Sequence, residues 1–512
     1  MEFYRHLKRN KIYKLLEHTE YVSPTIYNYN KFKKFVVDAI SNNKKILVYG
    51  DYDPDGLSCI LAWKKYFYKM DYNNFHIFEY RERTHSIDEV AILEAIEGKY
   101  DYIIINDAGS SEMDKINKLI NFGVKVILVD HHQTIYSYES YPEDCAIVNS
   151  TLENKHRRKK GYSGEDLNVS AGALVFILLD KLLEDYRKYS RDLSAYALFS
   201  LYADCIDMSS DINRGIYHMA IGLGHATIPS EIAGFLNEYS SLNRRFVEFN
   251  MTPKINCAFR KEMFSPLNNV FLAKEYAQPN LVVDMVQNLA EMHSFSLNVV
   301  NKATDIIYYE KVGDFVVGNL NSVSSDIDIE STKLYNYTGL IANKLSERFK
   351  RPSVVYCGLN NSVKGSFRDI LGRNYLQTFR SFSQSEGHNA AFGIKLHVME
   401  VPDFLRNLKD FGNNKQAQEV KNEPVIIPGF DVPPDKTELM DMAMYNEFAG
   451  IRYPIVVIGL SRTGKMTERP NRYGGYIYKW GSHNIHSSKR IPIGCKLLIR
   501  PTKTKGLKLY AL

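Results

Sequence analysis

Three aspartates follow one short apolar segment near the start of the chain. Asp51, Asp53 and Asp55 come directly after KILVYG (45–50), within the sequence GDYDPDG. The proline and glycine of this stretch bend the chain, so a tight turn can bring the three carboxylates together. Carboxylates this close repel one another unless a proton or a cation offsets their charge. The motif therefore indicates a site for a hard divalent cation, with an Asx-rich turn that ends a strand as the alternative.

The same residue types recur after later apolar segments, at Asp107, at the tripeptide Asp130, His131 and His132, and at Asp204 and Asp207. A histidine adds a nitrogen ligand suited to Mn²⁺, Fe²⁺ or Zn²⁺, and a neighbouring carboxylate can orient its ring. A lone DHH tripeptide is weak evidence, but the complete set predicts a centre for two divalent ions. Such a centre would activate water and stabilise the leaving oxygen in phosphoester hydrolysis.

Strands and helices alternate through this region, which explains how residues far apart in sequence would meet. KILVYG, FHIFEY, YIIIND and VKVILVD have the composition of buried strands, and helical patterns lie near 57–70, 88–98 and 111–122. Alternation at this spacing predicts a parallel α/β sheet. Ligands of such sheets bind at the carboxyl ends of the strands, where the acidic residues and histidines occur.

The length of 512 residues predicts several domains. We expect an α/β domain over 1–235, a helical connector over 236–304, a smaller α/β domain over 305–411 and a β-rich domain over 425–512. The polar stretch 412–424 has the composition of a linker.

The composition excludes some classes of protein. No apolar run reaches the roughly 18 residues of a membrane span. The six cysteines have no Cys-x-x-Cys spacing, so neither a zinc site nor a disulfide framework is indicated. A reducing cytoplasm is the simplest setting, and we expect a monomer.

Basic residues cluster in two places although the net charge is only +6. One run covers 155–160 and further lysines and arginines lie in the last 30 residues or so, as expected for a phosphate-backbone partner. For the 155–160 run a solvated surface loop is an equally good interpretation. In the β-rich segment Tyr476, Tyr478 and Trp480 interleave with cations, a pattern that would suit base stacking, with a tyrosine-rich β surface as the alternative.

Six regions, in order, resemble motifs of the DHH phosphoesterase superfamily and, within it, of the RecJ single-strand exonucleases. They are GDYDPDG (50–56), INDAGSS (105–111), VDHHQT (129–134), YADCIDMSSDINRGI (202–216), PKINCAFR (253–260) and the pair KGSFR (364–368) with EGHNAAFGIKL (386–396). The β-rich C-terminal segment has the size of the oligonucleotide-binding barrel that RecJ proteins carry. Together the motifs span about residues 45–400, so the chain resembles a divergent, phage-type RecJ.

The resemblance implies a ligand set for two divalent ions, with Mn²⁺ preferred over Mg²⁺. The implied ligands are Asp53, Asp55, Asp107, His131 and Asp204. Asp107 would be the carboxylate that bridges the two ions.

The resemblance also implies roles for three neighbours of the metal ligands. His132 would face the scissile phosphate, and Asp51 would lie beside the ions as a weaker ligand or outer group. Asp130 would orient His131.

A further group of residues would hold the nucleic acid, according to the same resemblance. Ser366, Arg368 and His388 would bind phosphates from the DHH-associated domain, and Asn256 and Arg260 would touch the strand. Two departures concern this side of the site: Glu386 replaces a glycine of the Gly-Gly-His signature, and Phe259 replaces another glycine.

The resemblance therefore implies a 5′-to-3′ exonuclease for single-stranded DNA. One alternative is a phosphodiesterase for short oligoribonucleotides or cyclic dinucleotides, against which PKINCAFR and the C-terminal segment argue. The other is a non-catalytic nucleic-acid-binding scaffold, against which the clustered carboxylates argue. Expected partners are single-stranded DNA and a single-strand-binding protein or helicase. The expected location is the cytoplasm, that of the host if a phage encodes the chain.

Overall fold

The structure of the chain is a computed structural model. It describes residues 2–10, 12–81, 86–162, 164–185, 189–223, 227–236, 242–273, 278–369, 373, 375–388, 390–413, 425–428, 436–449, 456–461, 466–470, 475–480, 482–487, 490–492, 496–503 and 507–511. For Glu386 and His388 it describes the backbone alone.

The contacts of the chain define two compact units. The first contains Met1–Asn256, Phe264–Val286 and Glu423–Leu512, and the second contains Cys257–Met263 and Gln287–Asn422. The C-terminal segment thus groups with the N-terminal half. The domain limits expected from the sequence divide the chain more finely and remain a prediction.

A five-stranded parallel sheet forms the centre of the first unit, in the order β2-β1-β3-β4-β5. Its strands are β1 Ile46–Gly50, β2 Phe75–Ile77, β3 Tyr102–Asn106, β4 Lys125–Asp130 and β5 Cys145–Asn149. All but β2 are buried along almost their entire length, as their apolar sequences predict. Gly50 pairs with Asn106, and Asn106 with Val129, so β1, β3 and β4 end side by side.

Helices precede, separate and follow these strands along the chain. They are α1 Glu2–Asn10, α2 Tyr29–Ser41, α3 Pro54–Lys69, α4 Glu89–Glu97, α5 Met113–Asn121, α6 Ser150–Lys159, α7 Ala171–Asp185, α8 Ser194–Ala203, α9 Asp211–Ile221, α10 Ser230–Ala233, α11 Arg244–Phe246, α12 Thr252–Lys261, α13 Ser265–Leu267 and α14 Pro279–Ile306. Helices α3, α7 and α8 are buried over most of their length, which agrees with their apolar sequences. The long α14 is the helical connector that the sequence predicts.

The second unit has a six-stranded sheet in the order β10-β11-β9-β8-β7-β6. Its elements are β6 Tyr308–Val312, β7 Phe315–Asn319, α15 Ile329–Thr332, α16 Thr338–Phe349, β8 Ser353–Leu359, β9 Ser362–Arg368, α17 Leu376–Phe379, β10 Gln384–His388, β11 Ala391–His397 and α18 Val401–Asn413. Successive residues of β7 point to opposite faces, so Val316 and Val317 enter two separate apolar cores.

The C-terminal segment forms a third sheet, ordered β12-β13-β17-β18-β16-β15-β14, with one helix. Its elements are β12 Val425–Pro428, α19 Lys436–Phe448, β13 Val456–Ser461, β14 Thr467–Pro470, β15 Tyr476–Trp480, β16 His483–Ser487, β17 Lys496–Lys503 and β18 Leu507–Ala511. The base-stacking prediction was wrong for Tyr478 and Trp480, which are only 1% and 2% exposed. Alternation along β15 turns both rings into the core.

The predicted fold class is confirmed: a parallel α/β sheet, a connector helix, a second mixed sheet and a β-rich C-terminal part. The proposed likeness of that last part to an oligonucleotide-binding barrel stays a prediction, and the predicted linker 412–424 lies mostly outside the described residues. Among the described helices, none combines the length and hydrophobicity needed to cross a bilayer.

A buried lysine on α3 makes the stability of the first unit depend on pH. Lys64 is 2% exposed, and its Nζ donates to the carbonyl oxygen of Phe271 at 3.2 Å. Burial lowers the pKa of Lys64 from 10.5 to about 8, although the charge of Glu231 opposes the shift. The folded protein therefore loses this proton at a lower pH than the unfolded chain, so its contribution to stability rises between about pH 8 and 10.5.

We expect Lys64→Met to raise the free energy of unfolding near neutral pH by roughly 3 kcal/mol, because lowering the pKa from 10.5 to about 8 costs about 1.4 kcal/mol per pKa unit. The variant should also lose the rise in stability above pH 8 that the wild type shows. Urea unfolding at neutral and alkaline pH measures both effects. An equal pH slope in the two proteins would contradict this role of Lys64.

Candidate metal centre

The turn after β1 is held by backbone hydrogen bonds and by the start of α3. The N–H of Asp51 donates to the carbonyl of Asn106 at 3.2 Å, so the turn begins against β3. One carboxylate oxygen of Asp53 caps α3 by accepting from the N–H groups of Asp55 and Gly56, at 2.8 and 2.9 Å. A Cβ at Gly56 would lie 2.4 Å from the carbonyl oxygen of Asp51, so the turn requires glycine there.

A second helix N-terminus holds Asp55. Its carboxylate accepts from the N–H groups of Ala171 and Gly172, at 3.0 and 2.8 Å, at the start of α7, and from the hydroxyl of Ser200. The positive end of the helix dipole stabilises the ionised form of this 2%-exposed group. Burial nevertheless raises the pKa of Asp55, with His131 opposing that rise.

Asp107 occupies the position directly after β3 in a left-handed backbone conformation, with φ +61°. Its N–H donates to the carbonyl of Val129 at 2.9 Å, which fixes the residue between β3 and β4. Burial raises the pKa of Asp107 well above its usual range, and the charges of Asp55 and Asp53 raise it further. Its Oδ1 is buried and accepts no hydrogen bond among the described residues.

The histidine pair follows β4, and its second ring is the one that Asp130 holds. Asp130 Oδ1 accepts from the N–H of His131 at 2.7 Å and from Nδ1 of His132 at 2.7 Å. The expectation that Asp130 orients the ring of His131 is thus replaced by a different contact. The reason is local: Asp130 Oδ1 also accepts from the N–H of His132 at 3.1 Å, so the carboxylate faces the second histidine of the pair.

The opposite charges of Asp130 and His132 shift the pKa values of both residues in opposite directions. Burial alone would raise the pKa of Asp130, but His132 lowers it below the usual range. Burial alone would lower the pKa of His132, but Asp130 raises it to about 10. The side chain of His132 is 52% exposed, so its imidazolium can meet a ligand from solvent.

His131 lies at the centre of the carboxylates. Its Nε2 is 3.3 Å from Asp107 Oδ1, 3.6 Å from Asp204 Oδ2 and 3.9 Å from Asp55 Oδ2. Asp204 follows the last residue of α8. Asp207, the other candidate at that point, uses both carboxylate oxygens to accept from Ser209. Asp204, and not Asp207, thus lies in the group of side chains around His131.

Three overlapping groups of side chains place their ligand atoms within 4.8 Å of one another: Asp55 with His131 and Asp204, Asp107 with His131 and His132, and Asp51 with Asp53 and Asp107. Asp107 joins the last two groups, and His131 the first two. A buried carboxylate oxygen without a donor is unfavourable unless a cation binds it. The oxygen-rich set with one central imidazole thus fits divalent cations. All five proposed ligands, and Asp51, belong to these groups.

The sequence analysis did not identify Asn149, although it is the last residue of β5 and so lies at the same edge of the sheet as the other site residues. Its Nδ2 donates to the carbonyl of His132 at 3.0 Å and to Ser110 Oγ at 2.9 Å. Its Oδ1 caps α6. The strand-end rule, applied to polar residues in general, would have found it.

In the second unit, two of the predicted phosphate ligands lie together at the start of α16. Ser366 Oγ is 2.9 Å from the hydroxyl of Thr338. Arg368 donates to the carbonyl of Phe367 at 2.7 Å, and a Cβ on Gly339 would lie 2.6 Å from its Nη2. Burial lowers the pKa of Arg368 to about 10. Among the described residues no carboxylate forms an ion pair with it.

Three further residues, Asn256, Arg260 and His388, were predicted to contact the nucleic acid. Asn256 and Arg260 lie on α12, and the Arg260 guanidinium is 5.9 Å from the ring centre of Tyr337. The side chain of His388 lies outside the described residues.

The basic run is largely occupied by local contacts. Lys155 donates to the carbonyl of Thr134, Arg157 pairs with Glu153, and Arg158 pairs with Asp166. Residues 155–159 lie on α6, so the surface-loop interpretation was wrong about the local structure, and these contacts within the chain do not favour a phosphate-backbone partner.

At pH values above neutral, we expect Asp107→Asn to raise the melting temperature of the metal-free protein by several degrees. Because the pKa of Asp107 is raised in the folded protein, its ionised carboxylate destabilises the fold once the pH exceeds the pKa of an ordinary aspartate. Asn has no charge to bury. Asn also tolerates the left-handed conformation. The same variant should lose the stabilisation that Mn²⁺ gives to the wild type.

Melting curves with and without Mn²⁺ measure both changes, and the exposed Asp114 supplies the control Asp114→Asn. A metal-free Asp107→Asn protein that melts below the wild type, or an unchanged response to Mn²⁺, would contradict this account of Asp107.

Comparison with known proteins shows that part of this chain matches a described protein family. The model of the DHH family, N-terminal domain, matches residues 45–203. The single-stranded-DNA-specific exonuclease RecJ of Bacillus subtilis is 23% identical over 403 residues, which cover 75% of this chain and 48% of that protein. The putative SPbeta prophage-derived single-strand DNA-specific exonuclease YorK of B. subtilis is 24% identical over 466 residues, covering 84% of this chain and 77% of that protein. The chain therefore spans about half of the first relative and three quarters of the second.

A solved structure agrees in fold over nearly the whole chain. RecJ from Thermus thermophilus in complex with Mn²⁺ has a TM-score of 0.71 at 15% identity, and covers 96% of this chain and 72% of that one. The same protein has also been solved in complex with Mg²⁺. This likeness concerns the fold alone. The match of the DHH-family model to residues 45–203 confirms the resemblance seen in the sequence.

Proposed function

We propose that this chain, which carries an N-terminal domain of the DHH family, is a RecJ-like exonuclease that hydrolyses phosphodiester bonds of single-stranded DNA with two divalent ions. The observation that carries the proposal is the set of overlapping ligand groups that share Asp107 and His131. One ion-binding group would have been compatible with a structural metal. Overlapping groups within a few ångströms fit the paired ions that phosphodiesterases use.

Different residues of the chain would have different roles at such a centre. Asp53, Asp55, Asp107, His131 and Asp204 would hold the ions, and Asp107 would lie between them, with Asp51 beside it. Divalent ions there would polarise the phosphate and lower the pKa of the attacking water. The preferred ion is proposed to be Mn²⁺, with Mg²⁺ as the second choice.

His132 would supply a fixed positive charge to the reacting phosphate. Asp130 holds its Nδ1 and keeps the imidazolium form stable at neutral pH. The half-exposed ring can approach a non-bridging phosphate oxygen, where negative charge increases in the transition state. Asn149 fixes the backbone of His132 and so limits its movement.

The second unit would bind phosphates of the strand through Arg368 and Ser366. A partly buried guanidinium beside the N-terminus of α16 creates a positive site, and hydroxyl groups of Ser366 and Thr338 can donate to the same anion. His388, Asn256 and Arg260 are proposed as further contacts.

The substrate and polarity are proposed on the family resemblance and on the names of the relatives. Both RecJ and YorK are described as specific for single-stranded DNA. The 5′-to-3′ direction, a cytoplasmic location, a monomeric state and partnership with a single-strand-binding protein or helicase belong to the same proposal.

The proposal is tested by digestion of end-labelled strands with Mn²⁺ present. We expect 5′-labelled DNA to release its label in the first products, 3′-labelled DNA to shorten progressively, and duplex DNA to persist. Asp107→Asn should abolish both reactions. Cleavage limited to dinucleotides or short RNA would support the oligoribonucleotide alternative, and binding without cleavage would support the scaffold.

We expect Arg368→Gln to raise KM for single-stranded DNA about tenfold with a smaller effect on kcat, because the guanidinium binds a phosphate before and during the reaction. Arg351→Gln, which removes an exposed arginine paired with Asp314 in the same unit, is the control and should leave KM unchanged. Steady-state kinetics on one defined strand compare the three proteins. Equal KM values for Arg368→Gln and wild type would contradict the phosphate-binding role.

A further inference from the structure

Two buried tyrosines of α8 donate to two buried glutamates. Tyr196 donates from its hydroxyl to Glu231 Oε2 at 3.0 Å, and Tyr202 donates to Glu447 Oε1 at 2.7 Å. All four residues are at most 3% exposed. The first pair lies near the start of α8. The second lies in the last turn of α8, and its glutamate comes from α19 in the C-terminal segment.

The last turn of α8 determines where Asp204 lies. The N–H of Cys205 donates to the carbonyl of Tyr202 at 3.2 Å, and the N–H of Ile206 donates to the carbonyl of Leu201 at 2.9 Å. Cys205 has the left-handed φ of +53°. These bonds form a Schellman motif, in which Asp204 is the C-cap residue. These bonds fix the backbone of Asp204 relative to that of Tyr202.

Glu447 is itself fixed by several contacts. Its Oε1 also accepts from the N–H of Arg244 at 2.7 Å, and Arg244 Nη1 donates to the carbonyl of Ala449 at 2.6 Å. The neighbouring Asn446 exchanges hydrogen bonds with Val456 on β13. Glu447 thus has little freedom to move, and the hydroxyl of Tyr202 meets a rigid acceptor.

The arginines near Glu447 leave little room for a ligand. The cavity lined by Arg244, Glu447 and Arg500 has a volume of about 10 Å³. That is enough for one water molecule and too small for a phosphate group. The cluster therefore serves to hold the carboxylate of Glu447.

We propose that Tyr202 and Glu447 are positioning residues for the metal ligand Asp204, so that the C-terminal segment contributes to metal binding from outside the DHH domain. Glu447 holds the Tyr202 hydroxyl, Tyr202 holds the last turn of α8, and that turn places Asp204 near His131. The inference rests on the metal centre of the proposed function. It adds a role for residues 436–448 that the ligand set does not contain.

The test compares Mn²⁺ affinity, measured by calorimetry, with the melting temperature of the metal-free protein. Tyr202→Phe should weaken Mn²⁺ binding about tenfold, at the lower end of the effect of losing a partner outside the ligand shell. Tyr196→Phe removes the matching hydrogen bond on the same helix. It should lower the melting temperature by a similar amount and leave Mn²⁺ affinity unchanged.

A second pair of variants covers the case in which Tyr202→Phe does not fold. Glu447→Gln keeps an oxygen that accepts from Tyr202 and Arg244, so it should retain Mn²⁺ affinity. Glu447→Met has a similar volume but no acceptor, and it should lose affinity about tenfold.

The possible outcomes separate the two proposals. Equal Mn²⁺ affinities of Tyr202→Phe and Tyr196→Phe, or of Glu447→Met and Glu447→Gln, would overturn the positioning role alone. Absence of Mn²⁺ binding by the wild-type protein would overturn the proposed metal centre, and the positioning role with it.

Discussion

Repulsion among buried carboxylates at one edge of the parallel sheet is the constraint on which this structure depends. Asp51, Asp55 and Asp107 are each at most 6% exposed and lie within a few ångströms of further negative charge. Burial and like charge both disfavour the ionised state of Asp107. The fold tolerates the cluster because helix N-termini and backbone N–H groups hold Asp53 and Asp55 in place. A divalent cation would offset the charge that these contacts leave.

The rest of the first unit serves to keep these side chains in register. Strands β1, β3 and β4 end side by side, so the residues that follow them meet without long loops. Helix α7 binds Asp55 at its N-terminus and α8 presents Asp204 at its C-terminus. The second unit carries a separate positive site at Arg368. The cluster of carboxylates and this positive site are what a metal-dependent enzyme acting on a phosphodiester requires.

The sequence predicts the parts of this site that depend on strand ends, and it predicts them well. A side chain that follows a buried parallel strand must lie at the carboxyl edge, which placed Asp51, Asp107 and Asp130 correctly from pattern alone. Contacts that depend on tertiary packing were not predictable. The resemblance named Asp204, but the bonds between Asp207 and Ser209, and the bond between Asp130 and His132, depend on local turns that the sequence pattern does not reveal.

Burial in the C-terminal sheet was the other feature beyond reach of the sequence. Tyr478 and Trp480 flank Lys479, an arrangement that fits either a binding surface or a core, and only the packing of the sheet decides between the two. The link from Glu447 to Tyr202 joins residues 245 positions apart, with no local pattern that could reveal it.

Asp107 is proposed to join two ion sites into one centre. Electron paramagnetic resonance of the protein loaded with two equivalents of Mn²⁺ tests it most directly, because two manganese ions that share a carboxylate are magnetically coupled. The account predicts the broad, temperature-dependent spectrum of a coupled pair in the wild type and its loss in Asp107→Asn. The six-line spectrum of isolated Mn²⁺ in the wild-type protein would contradict it.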